Sequence, residues 1–389
     1  MQVVELEMRH VCVPLRRPVK HASHTRDESE NLLVRCVLAD GTVGWGEGVP
    51  REYVTGESVA SAQALLRSSD LSGQLQPCSN FADVVAMLER LKLPAVPGDT
   101  RVCQGNAARC ALELAILDAY GRSFQQPLSV VPRLIAPEIA DSKSSVQYSG
   151  VILSAKGWKA RALSLGYRLS GFQQVKVKVG IAGQNDWERL RIIRRWIGDG
   201  VDLRVDANEA WTPAQAVEMI RAFERFRISS VEQPVPHEQI EEFARVRQGL
   251  RIPIMLDESL CSEIDAERAI RENWCESFNL RLSKCGGLIP STQLAALASR
   301  HGIGYQLGCQ VGETAILSAA GRHFACGIAG LIAVEGSFDR HLLYDSLAIK
   351  DITFGRGGHA PALPGGGLGI DISGSRVDRI TISRETLIG

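Results

Sequence analysis

Between residues 146 and 336, short apolar runs and polar, helix-forming stretches alternate about eight times, and this beat limits the fold more than any other feature of the chain. The runs are VQYSGVIL, QQVKVKVG, VDLRVDA, ISSVEQP, IPIMLDES, SFNLRLS, IGYQLGC and GLIAVEG. Between the second and third lies Asp186–Ile197, whose apolar residues at 187, 190, 193, 196 and 197 form one stripe at helical spacing. Strand and helix alternating in this way predict a parallel (β/α) barrel. A doubly wound open sheet is the competing architecture, but no GxGxxG turn follows the first strand.

The flanks read differently. In NLLVRCVLADGTVGWGE two strands surround a DG turn, as in an antiparallel meander, and a helix is expected over Ala107–Tyr120. The tail, with PALPGGGLGIDIS, is Gly/Pro-rich and then strand-like. The expected division is an α+β domain over 1–125, a barrel carrying the site over 126–354, and a non-barrel tail over 355–389.

Composition excludes some partners. Lys+Arg and Asp+Glu both total 44, and no basic run tracks a phosphate backbone, so nucleic acid is not an expected partner. No apolar stretch reaches the roughly 18 residues of a membrane span, and MQVVELEMRH lacks the features of a signal peptide. The ten cysteines are scattered without a CxxC pair, which suggests reduced, buried thiols in a cytoplasmic protein.

Chemistry in such a barrel gathers at the C-terminal ends of the strands. Three consecutive strands end in an acid: Asp206 in DLRVDANEAW, Glu232 in SVEQPVP, and Asp257 in IPIMLDES, with Glu258 beside it. A single acid there is commonly a helix N-cap. Three side by side repel one another unless protonated or bridged by a cation, and an oxygen-only set favours a hard ion, Mg²⁺. Val175, Val177 and Val179 alternate with Lys176 and Lys178 on the preceding strand, which puts both lysines on one face, about 7 Å apart. Pointing into the barrel beside a metal, each cation is expected to depress the other's pKa and so make a base. A base beside a divalent cation suits removal of the proton α to a carboxylate, because the ion holds the charge of the resulting enediolate.

Taken together, these motifs resemble the enolase superfamily, in particular its mandelate racemase and muconate lactonizing enzyme branch. GTVGWGEGVP and YVTGES are similar to its capping domain, KVKVG to its KxK strand, and DANEAW, VEQP and DES to its metal-ligand strands. SKCGGL is similar to its sixth strand and turn, and ETAILSAAGRHFA to the segment after the seventh. The intervals Lys178 to Asp206, Asp206 to Glu232 and Glu232 to Asp257 are 28, 26 and 25 residues. The resemblance implies a modified TIM barrel of (β/α)7β type under an α+β capping domain that the C-terminal tail completes. It implies Lys178 as the base, with Lys176 tuning it and meeting the substrate carboxylate. Asp206, Glu232 and Asp257 would hold Mg²⁺, with Mn²⁺ as a substitute, and Asn208 and Glu258 would flank that site. Glu313 matches an acid facing the substrate; a helix N-terminal role is the equal alternative. Homo-oligomers are common on this fold.

One position departs from the pattern. Members with a second acid/base lysine carry it 24 residues after the third ligand, and here that residue is Arg281 in NLRLSKCGG. Arginine is a poor proton shuttle, and Lys284 has the wrong strand parity and is expected in the turn. Arg281 is therefore expected to stabilise negative charge or bind a second carboxylate. The leading expectation is a one-base cycloisomerase or syn-eliminating lyase acting on a small-molecule carboxylate. The alternatives are a racemase or epimerase of amino-acid derivatives or dipeptides, and an inactive binding or assembly protein. Loops 20–31 and 51–57 are expected to form a polar lid offering His21, His24, Arg26, Arg51 and Tyr53 to the substrate, with Lys284 as a further candidate contact.

Overall fold

The computed structural model describes residues 1–20 and 25–389; His21 and His24 lie outside the described residues. Strands β1 (Val3–Lys20), β2 (Thr25–Leu38) and β3 (Val43–Gly48) form an antiparallel sheet, with the DG turn between β2 and β3 and Gly41 at φ 82°. Further along are β4 (Ser145–Gln147), β5 (Gly150–Ile152), β6 (Gln174–Lys178), β7 (Asp202–Asp206), β8 (Ile228–Glu232) and β9 (Ile254–Leu256). They are followed by β10 (Ser277–Leu280), β11 (Gly304–Leu307), β12 (Leu331–Val334), β13 (His359–Pro361) and β14 (Thr381–Ile388). Strands β5 to β12 make one parallel eight-stranded sheet in chain order, matching the eight apolar runs. A main-chain hydrogen bond from Ser149 N to Val334 O, 2.8 Å, joins its two ends. β14 returns from the tail to pair with β1, so the capping sheet has the order β14-β1-β2-β3.

The cap packs through glycines. β3 reads VGWGEG, and its alternate residues Gly44, Gly46 and Gly48 face the helix Asn106–Ser123. A Cβ on Gly46 would stand 1.9 Å from Ala111 O, so only glycine lets strand and helix backbones come this close. The opposite parity then carries Glu47 away from that helix toward the barrel, where it bonds Thr314.

Around the barrel, the helix Asp186–Ile197 buries Leu190, Ile193 and Ile197 but turns Trp187 outward, correcting the expected stripe. Asp186 and Arg189 occupy the inner face instead. Arg189 pairs with Asp186 at 2.8 Å and donates to the carbonyls of Leu153, Ala155 and Lys178, tying the helix to the ends of β5 and β6. Among the described residues, no helix is long and apolar enough to cross a membrane.

Candidate active site

On β6 the valines at 175 and 177 pack into the apolar layer around the barrel, and the period-2 pleat therefore sends Lys176 and Lys178 inward. Both ammonium groups meet Asp206 Oδ2, Lys178 at 3.0 Å and Lys176 at 3.4 Å. Lys178 also donates to Asn208 Oδ1. Lys176 lies 3.1 Å from Glu232 and 2.6 Å from Glu335. The expectation of a depressed Lys176 fails here: burial works to lower its pKa, but Glu232, Glu335 and Asp206 outweigh burial and hold it above its ordinary value. It is a fixed cation.

Asp206, Glu232, Asp257 and Glu258 are all buried. Burial raises Asp206, yet Lys178 and Lys176 more than offset it and hold that carboxyl below its usual range. Glu232 is raised by burial and by Asp206, and it accepts from Asn279 Nδ2 at 2.8 Å and Gln306 Nε2 at 3.3 Å. Glu258 is pushed up to about 8 by burial and by the neighbouring acids Glu209, Asp206 and Glu232, and neither of its oxygens has a hydrogen-bond partner. Backbone geometry supports the cluster: Asn208, Glu209 and Gln233 all take positive φ just after their strands. Gln233 Oε1 accepts from Asp257 N and Ser259 N and so braces the third acid.

Arg281 follows β10, four strands from β6 in the eight-stranded sheet, on the facing wall of the closed barrel. Its guanidinium bonds Asp257 and stands 3.6 Å from Glu232. Burial lowers it, but Glu232 and Asp206 raise it further, so it remains charged. Lys284 lies in the turn, as expected, but is not available as a substrate contact. Its side chain is fully buried, and its three protons go to Asp257 O (2.7 Å), Asp257 Oδ1 (2.9 Å) and Asn279 O (2.8 Å). It braces Asp257 from beneath.

The donor set fits a hard divalent ion: it is all oxygen and buried, and both oxygens of Glu258 are without a hydrogen-bond partner. Lys176 bridges Asp206 and Glu232, and Arg281 bridges Glu232 and Asp257. The two cations offset the charge of the three carboxylates. Among the described residues, the acid/histidine group whose ligand atoms fall within 4.8 Å of one another is instead Glu209, His237 and Glu238.

Glu313 is half-buried, pushed up to about 8 by burial, and lines a small cavity with Tyr148, Glu335 and Ser337. The helix N-terminus beside it is served by another acid. Glu47 accepts from Thr314 N, Thr314 Oγ1 and Leu317 N. Arg26 stacks over the ring of Tyr53, 5.5 Å from its centroid, and Tyr53 is among the groups acting on Arg281. Arg51, expected on the lid, is buried and structural. It donates to Ser29 Oγ and to the carbonyls of Glu30, Pro50 and Val311.

Sequence reasoning missed Glu335 and Arg204, which pair at 3.1 Å inside the barrel. The signal was present in both cases: Glu335 closes the apolar run LIAV as the other acids close theirs, and Arg204 shares the inward parity of Asp206.

The family described as "Enolase C-terminal domain-like" matches residues 159–376, and "Mandelate racemase / muconate lactonizing enzyme, N-terminal domain" matches residues 3–131. An N-succinyl-L-Arg/Lys racemase of Bacillus cereus is 27% identical over 99% of both chains. A hydrophobic dipeptide epimerase of Enterococcus faecalis is 28% identical over 84% of this chain and 87% of its own. A structure of the dipeptide epimerase from Cytophaga hutchinsonii, complexed with Mg and the dipeptide D-Ala-L-Val, superposes with a TM-score of 0.83 at 26% identity, covering all of both chains.

Proposed function

Because the chain belongs to the mandelate racemase/muconate lactonizing enzyme family of the enolase superfamily, we propose that it removes the α-proton of an N-acylated amino acid or dipeptide carboxylate and returns a proton to the same carbon. The observation that carries proton removal is Lys178, held by Asp206 and Asn208 against the buried carboxylate cluster; Arg281, on the facing wall, adds fixed positive charge. The substrate class rests on the racemase and epimerase relatives, which favour that reaction over the cycloisomerase expected first from sequence.

Asp206, Glu232 and Asp257 would hold Mg²⁺, which supplies positive charge beside the substrate carboxylate as its α-proton leaves. Lys178, oriented by Asn208 and Asp206, takes the proton. Lys176 stays positive and orients the substrate carboxylate. Arg281 stays positive and offsets negative charge on the opposite face. Glu313, with its carboxyl near 8, is largely protonated at neutral pH and donates a hydrogen bond into the cavity it lines. Arg26 and Tyr53 close over the mouth and meet the polar acyl end of the substrate.

A second reading is favoured by Arg281 itself. A guanidinium held charged by two carboxylates cannot take a proton from the second face, so chemistry confined to Lys178's face, cycloisomerisation or syn elimination, needs no other base. The test is incubation with Mg²⁺ in D₂O with N-succinyl amino acids and dipeptides, read by mass spectrometry and chiral chromatography. One deuterium with inversion supports the first reading. A cyclised product, or one that has lost water, supports the second. An absence of both exchange and product overturns both.

A further inference from the structure

We propose that Cys103 and Cys261 form a reversible disulfide that ties the capping domain to the barrel beside the active-site mouth. The two thiols are 158 residues apart in sequence and share one small buried apolar cluster with Val54, with Tyr53 packed against it. Each also reaches one of two adjacent carbonyls on the lid segment: Cys103 Sγ lies 3.7 Å from Thr55 O and Cys261 Sγ 3.8 Å from Val54 O.

The surrounding bonds hold the two loops in register. Arg101 donates to Glu258 O at 2.8 Å and grips Asp265 with two hydrogen bonds. Asn106 Nδ2 donates to Cys261 O at 2.7 Å, and Cys261 N donates to Asp265 Oδ2 at 2.9 Å. The two loops are therefore held together from both sides, and with both thiols in one small cluster the ~2 Å S–S bond forms by side-chain rotation within it. Either thiol, as its thiolate, serves as the attacking group, and the other resolves.

With hydrogen peroxide as oxidant, one thiolate attacks one peroxide oxygen; the O–O bond breaks, hydroxide leaves, and a sulfenic acid forms. The sulfur of the other cysteine then attacks that sulfur and water leaves, so two thiols and one peroxide give one disulfide and two waters. A transient bond of this kind suits thiols that are otherwise reduced. Once formed, it pins residues 51–57 between the cap and the loop that begins at Asp257.

The experiment treats full-length reduced protein with stoichiometric hydrogen peroxide, alkylates the remaining thiols with iodoacetamide, and maps peptides without reduction. The expected result is a Cys103–Cys261 cross-linked peptide in most molecules, loss of two hydrogens from the intact mass, and slower amide hydrogen exchange over residues 51–57. Dithiothreitol should reverse all three. In Cys103→Ala, dimedone should trap a sulfenic acid at Cys261. Should that variant not fold, the wild-type map alone decides. Full alkylation of both thiols at a dose that consumes the partly exposed Cys12 and Cys309 overturns the proposal, as does a different cross-link.

Discussion

Arg281 grips the carboxylate of Asp257, the last acid of the cluster, from the position where a sixth-strand lysine would stand. The pair, with Glu232 at 3.6 Å, fixes the charge of the guanidinium and so decides which face of the substrate carries a base. Proton removal from the Arg281 side needs a neutral guanidine, and microscopic reversibility applies the same restriction in both directions of an epimerisation. Arg281→Lys is therefore expected to raise the rate of inversion by at least about tenfold by general acid–base catalysis, measured by chiral chromatography. An unchanged or lower rate would contradict the reading of Arg281 as a charged group that moves no proton.

Mg²⁺ should stabilise the fold through the carboxylate cluster. An ion at one hundred times its Kd adds about 2.7 kcal/mol, a rise in Tm of several degrees for a chain of this size. Glu232→Gln should abolish most of the Mg²⁺-dependent rise. A melting curve indifferent to Mg²⁺ and to chelator in the wild type would remove the metal from the scheme.

Glu47, Glu57 and Glu113 are buried carboxyls, and desolvation pushes each up to about 7. The native state keeps protons that an unfolded glutamate releases near 4.5, so stability is fullest below that pH and falls as pH rises toward 7, by on the order of 1–3 kcal/mol per group. Glu113→Gln should flatten this slope in urea denaturation at pH 4.5 to 7.5. An identical slope in the variant would show that Glu113 ionises freely in the fold.

Gly46→Ala places a methyl where Ala111 O already stands. Overpacking against backbone is expected to cost at least about 3 kcal/mol, seen as a lower Tm with barrel circular dichroism retained. A variant as stable as the wild type would mean that the cap does not pack as tightly as described.

Much of the architecture was legible because its signals are local. An apolar strand closed by an acid identifies itself within seven residues, and eight apolar runs in order leave few architectures open. What was hidden is the pairing across space. Arg189 reads as a surface residue on a helix, yet its guanidinium takes three carbonyls at the barrel mouth. Lys284 reads as a turn residue, and its side chain doubles back under Asp257. Glu47 sits in a capping strand and serves a helix 267 residues away. Periodicity records which face a residue occupies, not which distant group meets it, so the braces of the site became visible only in three dimensions.

The measurement that tests the central claim most directly is α-proton exchange by the wild type and Lys178→Ala, incubated side by side in D₂O with Mg²⁺ and N-succinyl amino acids or dipeptides. The Mg²⁺ melting shift serves as the control that both proteins are folded. The account predicts deuterium at the α-carbon with the wild type, a loss of about 10²–10⁴-fold in the variant, and a Mg²⁺ shift in both. Exchange by Lys178→Ala at the wild-type rate would contradict it, because the base would then be another group.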